Sequence, residues 1–112
     1  MHEKLISFVI PCYNSAEYMD KCINSILTCG KDIEIIIVDD GSTKDDTAQK
    51  ADDWVKKNPD IIKAVHKENG GHGSAVNAGL ENSTGLYFKV VDSDDWIDIT
   101  AGLKVMECIR SQ

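Results

Sequence analysis

Hydrophobic positions fall into short continuous runs, separated by polar turns and by segments in which apolar residues recur every three or four positions. Leu5 to Ile10 is apolar apart from Ser7 and stops at Pro11. So continuous a run predicts a strand buried on both faces, the kind found in parallel sheets. Cys12-Tyr13-Asn14-Ser15 is a polar turn, and Ser15 is placed to cap a helix starting near Ala16. Met19, Cys22, Ile23, Ile26 and Leu27 then form one helical face, and Gly30 ends it. Glu34 to Val38 predicts a second strand, closed by Asp39-Asp40-Gly41-Ser42. Ser42 with Asp45 resembles a capping pair, and one of Asp39 and Asp40 is expected to cap the second helix. That helix carries Thr47, Ala48, Ala51, Trp54 and Val55 on its inner face and stops at Asn58-Pro59.

Ile61 to His66 predicts a third, weaker strand, and Lys67 to Gly73 a glycine-rich loop. A short helix follows from about Ser74 to Asn82. Gly79 inside it costs about 1 kcal/mol relative to Ala, which predicts a close-packed or ligand-facing side. After the turn Ser83-Thr84-Gly85, Leu86 to Val91 predicts a fourth, buried strand. Thr100 to Arg110 predicts a last helix, with Leu103, Val105, Met106 and Ile109 as its apolar set. Strands alternating with helices imply an α/β layered fold with a parallel sheet and right-handed crossovers.

In such sheets ligands bind outside the carboxyl ends of the strands. Here those ends collect the unusual residues: Pro11, Tyr13 and Asn14, then Asp39 and Asp40, then the Asn69 to Gly73 loop, then Asp92, Asp94 and Asp95. Three carboxylates within four residues repel one another, and a hard divalent cation is their natural companion. Mg²⁺ or Mn²⁺ at Asp94 would invert the local sign and bridge to phosphate oxygens. Glycine N–H groups near the third helix would add donors. Tyr13 offers a flat face to a base, and Asp40 an acceptor for a base N–H. The rim otherwise carries little fixed positive charge. His72 reads as a hydrogen-bonded loop residue and Trp54 as core.

The chain has 112 residues, of which 42% are hydrophobic, enough for one small domain with a core. A net charge of −7 with no basic stripe argues against nucleic-acid binding. No apolar run is long enough to span a bilayer, and Pro11 with no small-residue cleavage site makes the first run a strand rather than a signal peptide. Cys12, Cys22, Cys29 and Cys108 lack C-x-x-C spacing, and His2, His66 and His72 show no ligand spacing to them. Reduced thiols in a cytosolic protein fit this better than a zinc site. There is no G-x-G-x-x-G after the first strand and no G-x-x-x-x-G-K-[ST], which argues against a dinucleotide-binding domain and a P-loop. A phosphoaspartyl receiver would place its acidic pair where Pro11-Cys12-Tyr13-Asn14 stands.

Four stretches together resemble the family-two glycosyltransferases of GT-A fold: S-F-V-I-P-C-Y-N (7–14), I-I-I-V-D-D-G-S-T (35–43), E-N-G-G-H-G-S-A-V-N-A-G-L (68–80) and T-G-L-Y-F-K-V-V-D-S-D-D-W (84–96). Their order and spacing match, and they cover nearly the whole chain. The resemblance implies a Rossmann-like open, mostly parallel sheet with flanking helices and strand order 3-2-1-4. It implies a nucleotide-diphospho-sugar donor, usually a UDP-sugar, with Mn²⁺ or Mg²⁺. It puts Pro11 and Tyr13 beside the base, Asp40 on the base, Asp92 near the ribose or metal, and Asp94 on the metal and diphosphate, with Asp95 a neighbour. Asn14, Asn69, Gly71, Asn77 and Ser93 complete the implied nucleotide-sugar site. The chain departs from the family at Val76, where many members carry Arg.

The resemblance covers the donor-binding half of the family's domain, so residues 1–112 are expected to form that single unit, with the catalytic base beyond residue 112. The implied reaction is inverting transfer of a sugar to an acceptor hydroxyl in cell-surface polysaccharide or glycolipid synthesis. The 112-residue chain alone is expected to bind donor weakly and to transfer sugar poorly; the competing reading is a nucleotide-binding module without catalysis. An uncovered sheet edge predicts a homodimer or higher oligomer. The expected location is cytoplasmic, at the inner face of the membrane in the full-length protein. Sugar, acceptor and pathway are left open.

Overall fold

Seven elements alternate along the computed structural model, which describes residues 4–28, 30, 32–42 and 46–93. They are β1 (Ile6–Cys12), α1 (Met19–Leu27), β2 (Ile33–Asp40), α2 (Thr47–Lys57), β3 (Ile62–Lys67), α3 (His72–Glu81) and β4 (Tyr87–Val90). The four strands form one sheet in the order β3-β2-β1-β4, every pair parallel. The fold is the expected α/β sheet with flanking helices and the expected strand order. The expected last helix, Asp94, Asp95, Trp96, Asp45, Cys29 and Cys108 lie outside the described residues.

The central strands β1 and β2 are buried throughout, as their continuous apolar runs require. Alternation along each strand sends side chains to opposite faces. Phe8, Ile10, Ile35 and Ile37 meet Met19, Cys22, Ile23 and Ile26 of α1 and Ala51 of α2. Val9, Ile36 and Val38 meet Ala75 of α3 on the other face. Each fully buried aliphatic side chain of this size stabilises the fold by about 1.5–3 kcal/mol. α3 approaches β1 closely, because a Cβ on Gly79 would collide with the Val9 side chain. The close-packed side expected of Gly79 is therefore the sheet.

Three details differ from the sequence expectation. β1 continues through Pro11 to Cys12, paired with Val38 and Asp39 of β2. Proline is tolerated there because Val9 is the last β1 residue paired with β4, so the missing N–H breaks no ladder bond. α1 begins at Met19, not near Ala16: Tyr18 and Met19 donate their N–H groups to the Ser15 carbonyl, and no side chain caps the helix. β4 is not buried. Among the described residues it lies at the edge of the sheet, paired with β1, and Tyr87 and Phe88 are 46% and 53% exposed.

Candidate functional site

The carboxyl ends of β1, β2 and β3, the residues after β4 and the start of α3 share one rim. Two adjoining cavities open there. The smaller, about 180 Å³, is lined by Pro11, Cys12, Tyr13, Asp40, Asn69, Gly71, His72 and Ala75. The larger, about 600 Å³, is lined by Pro11, Tyr13, Asn14, Ser15, Tyr18, His72, Asp92 and Ser93. Pro11, Tyr13 and His72 belong to both, so the two form one continuous cleft. Tyr13 stands 52% exposed in it, with its ring clear of the core.

The strand pleat separates the two adjacent aspartates of β2. Asp40 turns toward α3. Its Oδ1 accepts from Lys67 Nζ at 2.7 Å and from the Gly70 N–H at 2.9 Å; its Oδ2 accepts from the Gly71 N–H at 3.0 Å. Burial pushes this carboxyl up, but the Lys67 ammonium and the two N–H groups outweigh it and hold it below the ordinary carboxylate value. Asp40 is therefore a fixed anion in the wall of the smaller cavity. Asn69 Nδ2 adds a bond to the Asp40 carbonyl at 3.0 Å, tying the glycine-rich loop to β2. Gly71 has φ +92°, a conformation that side chains disfavour, and it lets the chain turn into α3 at His72.

Asp39 turns the other way. Its Oδ1 accepts from the Ser42 N–H at 2.9 Å, and its Oδ2 lies 3.0 Å from His66 Nδ1. His66 Nε2 in turn lies 2.8 Å from Asp52 of α2. Neither Asp39 nor Asp40 caps α2, whose N-cap is Asp46 with no side-chain bond. Each carboxylate is already committed to a loop on its own side of the sheet.

The β1 and β4 ends are joined through Ser15. Its Oγ accepts from the Tyr13 N–H at 3.1 Å and from Ser93 Oγ at 2.7 Å. The Ser15 N–H donates to Thr47 Oγ1 at 2.7 Å, and the Asn14 N–H to Ser42 Oγ at 2.9 Å. Ser15 is thus a rim strut rather than the cap of α1, and Ser42 ties Asn14 to the end of β2, while the expected Ser42–Asp45 pairing lies outside the described residues. Asp92 is exposed, with Oδ1 3.0 Å from His72 Nε2. His72 is both cavity-lining and hydrogen-bonded.

The cleft gathers Pro11, Tyr13, Asn14, Asp40, Asn69, Gly71, Asp92 and Ser93. Asn77 stands apart: it is exposed and lines neither cavity, because it lies two residues from both Ala75 and Gly79 and so on the opposite side of α3. Lys67 adds a fixed positive charge to a rim expected to carry little of it. It pairs with Asp40 in the β2–β3 register, a relationship that spacing along the chain does not reveal. Among the described residues no group of three His, Cys, Asp or Glu side chains could hold a metal. Asp92 is an exposed carboxylate in the wall of the larger cavity, and a Mg²⁺ ion typically takes only one or two protein carboxylates, filling its shell with water and phosphate.

Residues 7–109 match the model of Glycosyl transferase family 2. The uncharacterized glycosyltransferase EpsJ of Bacillus subtilis (strain 168) is 39% identical over 94 residues, covering 83% of this chain and 27% of EpsJ. The structure of S. aureus TarS 1–349 in complex with UDP superposes with a TM-score of 0.77 at 30% identity, covering 93% of this chain and 31% of that one. The mannosyltransferase PcManGT from Pyrobaculum calidifontis, solved with GDP-Man and Mn²⁺, shares the fold at 24% identity, with a TM-score of 0.79 over 95% of this chain and 32% of its own. The chain spans less than a third of the length of these relatives. With most of its length matched, the chain belongs to glycosyl transferase family 2.

Proposed function

We propose that the cleft is the donor site of a glycosyltransferase that uses a UDP-sugar. The observation that carries this reading is the ionised Asp40 in the wall of a small cavity beside the exposed ring of Tyr13. A carboxylate has about four acceptor positions, of which Lys67, Gly70 and Gly71 occupy three. The remaining position is assigned to the N3–H of uracil, with the base stacked on Tyr13. TarS, at 29–30% identity over more than nine-tenths of this chain, has been solved with UDP and with UDP-GlcNAc, which supports a uridine donor.

In this reading the larger cavity takes the ribose and diphosphate. Pro11 and Asn14 shape its β1 side, and Ser93 holds the β4 end against Ser15. Asp92, with Asp94, would hold Mg²⁺ or Mn²⁺, whose charge would stabilise the departing diphosphate. The reaction assigned to the complete domain is inverting transfer: an acceptor hydroxyl oxygen bonds to the anomeric carbon as its bond to the diphosphate breaks. The hydroxyl proton goes to a base on the acceptor-side half. Residues 1–112 supply the donor half.

Titrations of UDP and CDP into the protein with Mg²⁺ test the base assignment. An anionic Asp40 accepts from uracil N3–H but repels the bare N3 of cytosine, so UDP should bind at least about tenfold more tightly. Equal affinities would overturn the assignment.

A further inference from the structure

We propose that His66 is a positioning residue for the donor cleft, which it reaches through Asp39, Ser42 and the backbone of Asn14 without lining the cleft itself. The inference rests on the donor-site reading above. A continuous chain of short contacts leads from His66 to the rim. His66 Nδ1 lies 3.0 Å from Asp39 Oδ2. The other oxygen of Asp39 accepts the Ser42 N–H at 2.9 Å. The Ser42 hydroxyl accepts the Asn14 N–H at 2.9 Å. Asn14 lies between Tyr13 and Ser15, lines the larger cavity, and is held at φ +50°, where a non-glycine residue needs support.

The geometry also specifies the state of the ring. Both ring nitrogens face carboxylate oxygens, at 3.0 Å and 2.8 Å. A carboxylate only accepts, so a neutral imidazole satisfies one of these contacts and the imidazolium satisfies both. Asp39 is buried while Asp52 is half exposed. The charged groups recorded on the ring are Asp39 from β2 and Asp52 from α2, and Lys56 of α2 lies in the same groove as Asp52. Lys67, the next residue along β3, points to the opposite face and is engaged by Asp40. The imidazolium therefore neutralises Asp39 on the side away from the cleft. Asp39 is then held in the orientation that fixes the 41–42 turn and, with it, Asn14. Loss of the ring proton breaks one carboxylate link and loosens this train.

Calorimetric titration of UDP into the purified chain with Mg²⁺, between pH 5.5 and 8.5, tests the inference with wild type, His66→Asn and Ser42→Ala. His66→Asn should weaken UDP binding roughly tenfold at low pH, the scale of losing a hydrogen bond to a charged group. The difference between wild type and His66→Asn should shrink as pH rises, which cancels the titration of UDP itself. Ser42→Ala leaves the His66–Asp39 contact in place but removes the acceptor for Asn14, so it should weaken binding at every pH. Thermal melts show whether each variant is folded at the titration temperature. Unchanged UDP affinity in folded Ser42→Ala, or a pH-independent difference for His66→Asn, would overturn the inference. Absence of UDP binding by wild type would overturn the donor-site reading itself.

Discussion

Lys67 Nζ lies 2.7 Å from Asp40 Oδ1 and so links the ends of β3 and β2 directly behind the smaller cavity. The pair gives the site an anion that stays charged at neutral pH. Lys67→Met should lower unfolding stability by about 1.5–3 kcal/mol in urea denaturation, the scale of a hydrogen bond to a charged group. The carboxyl of Asp40 is held below the ordinary aspartate value of about 3.8. Its contribution to stability is thus present above pH 3.8 and lost as pH falls through the lower folded value. Lys67→Met should reduce that acid-side loss, because the folded carboxyl then titrates nearer its ordinary value.

Besides Asp39 and Asp40, Glu34 is a further buried carboxylate, at the opposite end of the sheet. It accepts from Ser7 Oγ, the Thr84 N–H and Thr84 Oγ1, each at 2.9 Å, and pairs with Lys63 at 2.9 Å. Ser7 in turn accepts the Gly85 N–H, so one carboxylate anchors the turn into β4. Glu34→Ala should destabilise the chain by about 1–3 kcal/mol, because Ser7 and Thr84 lose their acceptor while the half-exposed Lys63 returns to water. UDP affinity of the variant, measured below its melting point, should stay close to wild type, since none of these groups lines the cleft. A large loss of affinity without unfolding would contradict the separation of the two ends.

Gly79→Ala separates helix propensity from packing. On propensity alone the change should stabilise α3 by about 1 kcal/mol. The added methyl group would meet Val9 of the central strand β1, and overpacking of this kind costs about 1–3 kcal/mol. A lower melting temperature is the expected outcome; a higher one would show that α3 can shift away from the sheet.

The elements were legible in the sequence where one rule sufficed. Continuous apolar runs marked β1 and β2, and spacing at three and four marked α1 and α2. The rim followed from the strand order, because residues at the ends of parallel strands must share one edge. What stayed hidden depended on register. Lys67 is opposite Asp40, and His66 opposite Asp39, because β2 and β3 pair as they do. Ser15 looked like a helix cap because its sequence context suited one, but its hydroxyl joins the ends of β1 and β4. β4 looked buried because its residues are apolar, whereas its place at the edge of the sheet formed by the described residues decides its exposure there. Asn77 followed from a motif, and the helical phase set by Ala75 and Gly79 turns it away from the cleft.

The most direct test of the donor-site claim is calorimetric titration of UDP with Mn²⁺ into wild type, Tyr13→Ala and Asp92→Ala. Both side chains are about half exposed, so neither substitution should disturb the core. The account predicts saturable binding by wild type. Tyr13→Ala should weaken it roughly tenfold with or without metal, since stacking on the base is lost, a loss of about 1–3 kcal/mol. Asp92→Ala should weaken it in Mn²⁺ and make little difference in EDTA. Wild-type affinity in both variants, or no UDP binding by the wild-type chain, would contradict the assignment of this cleft.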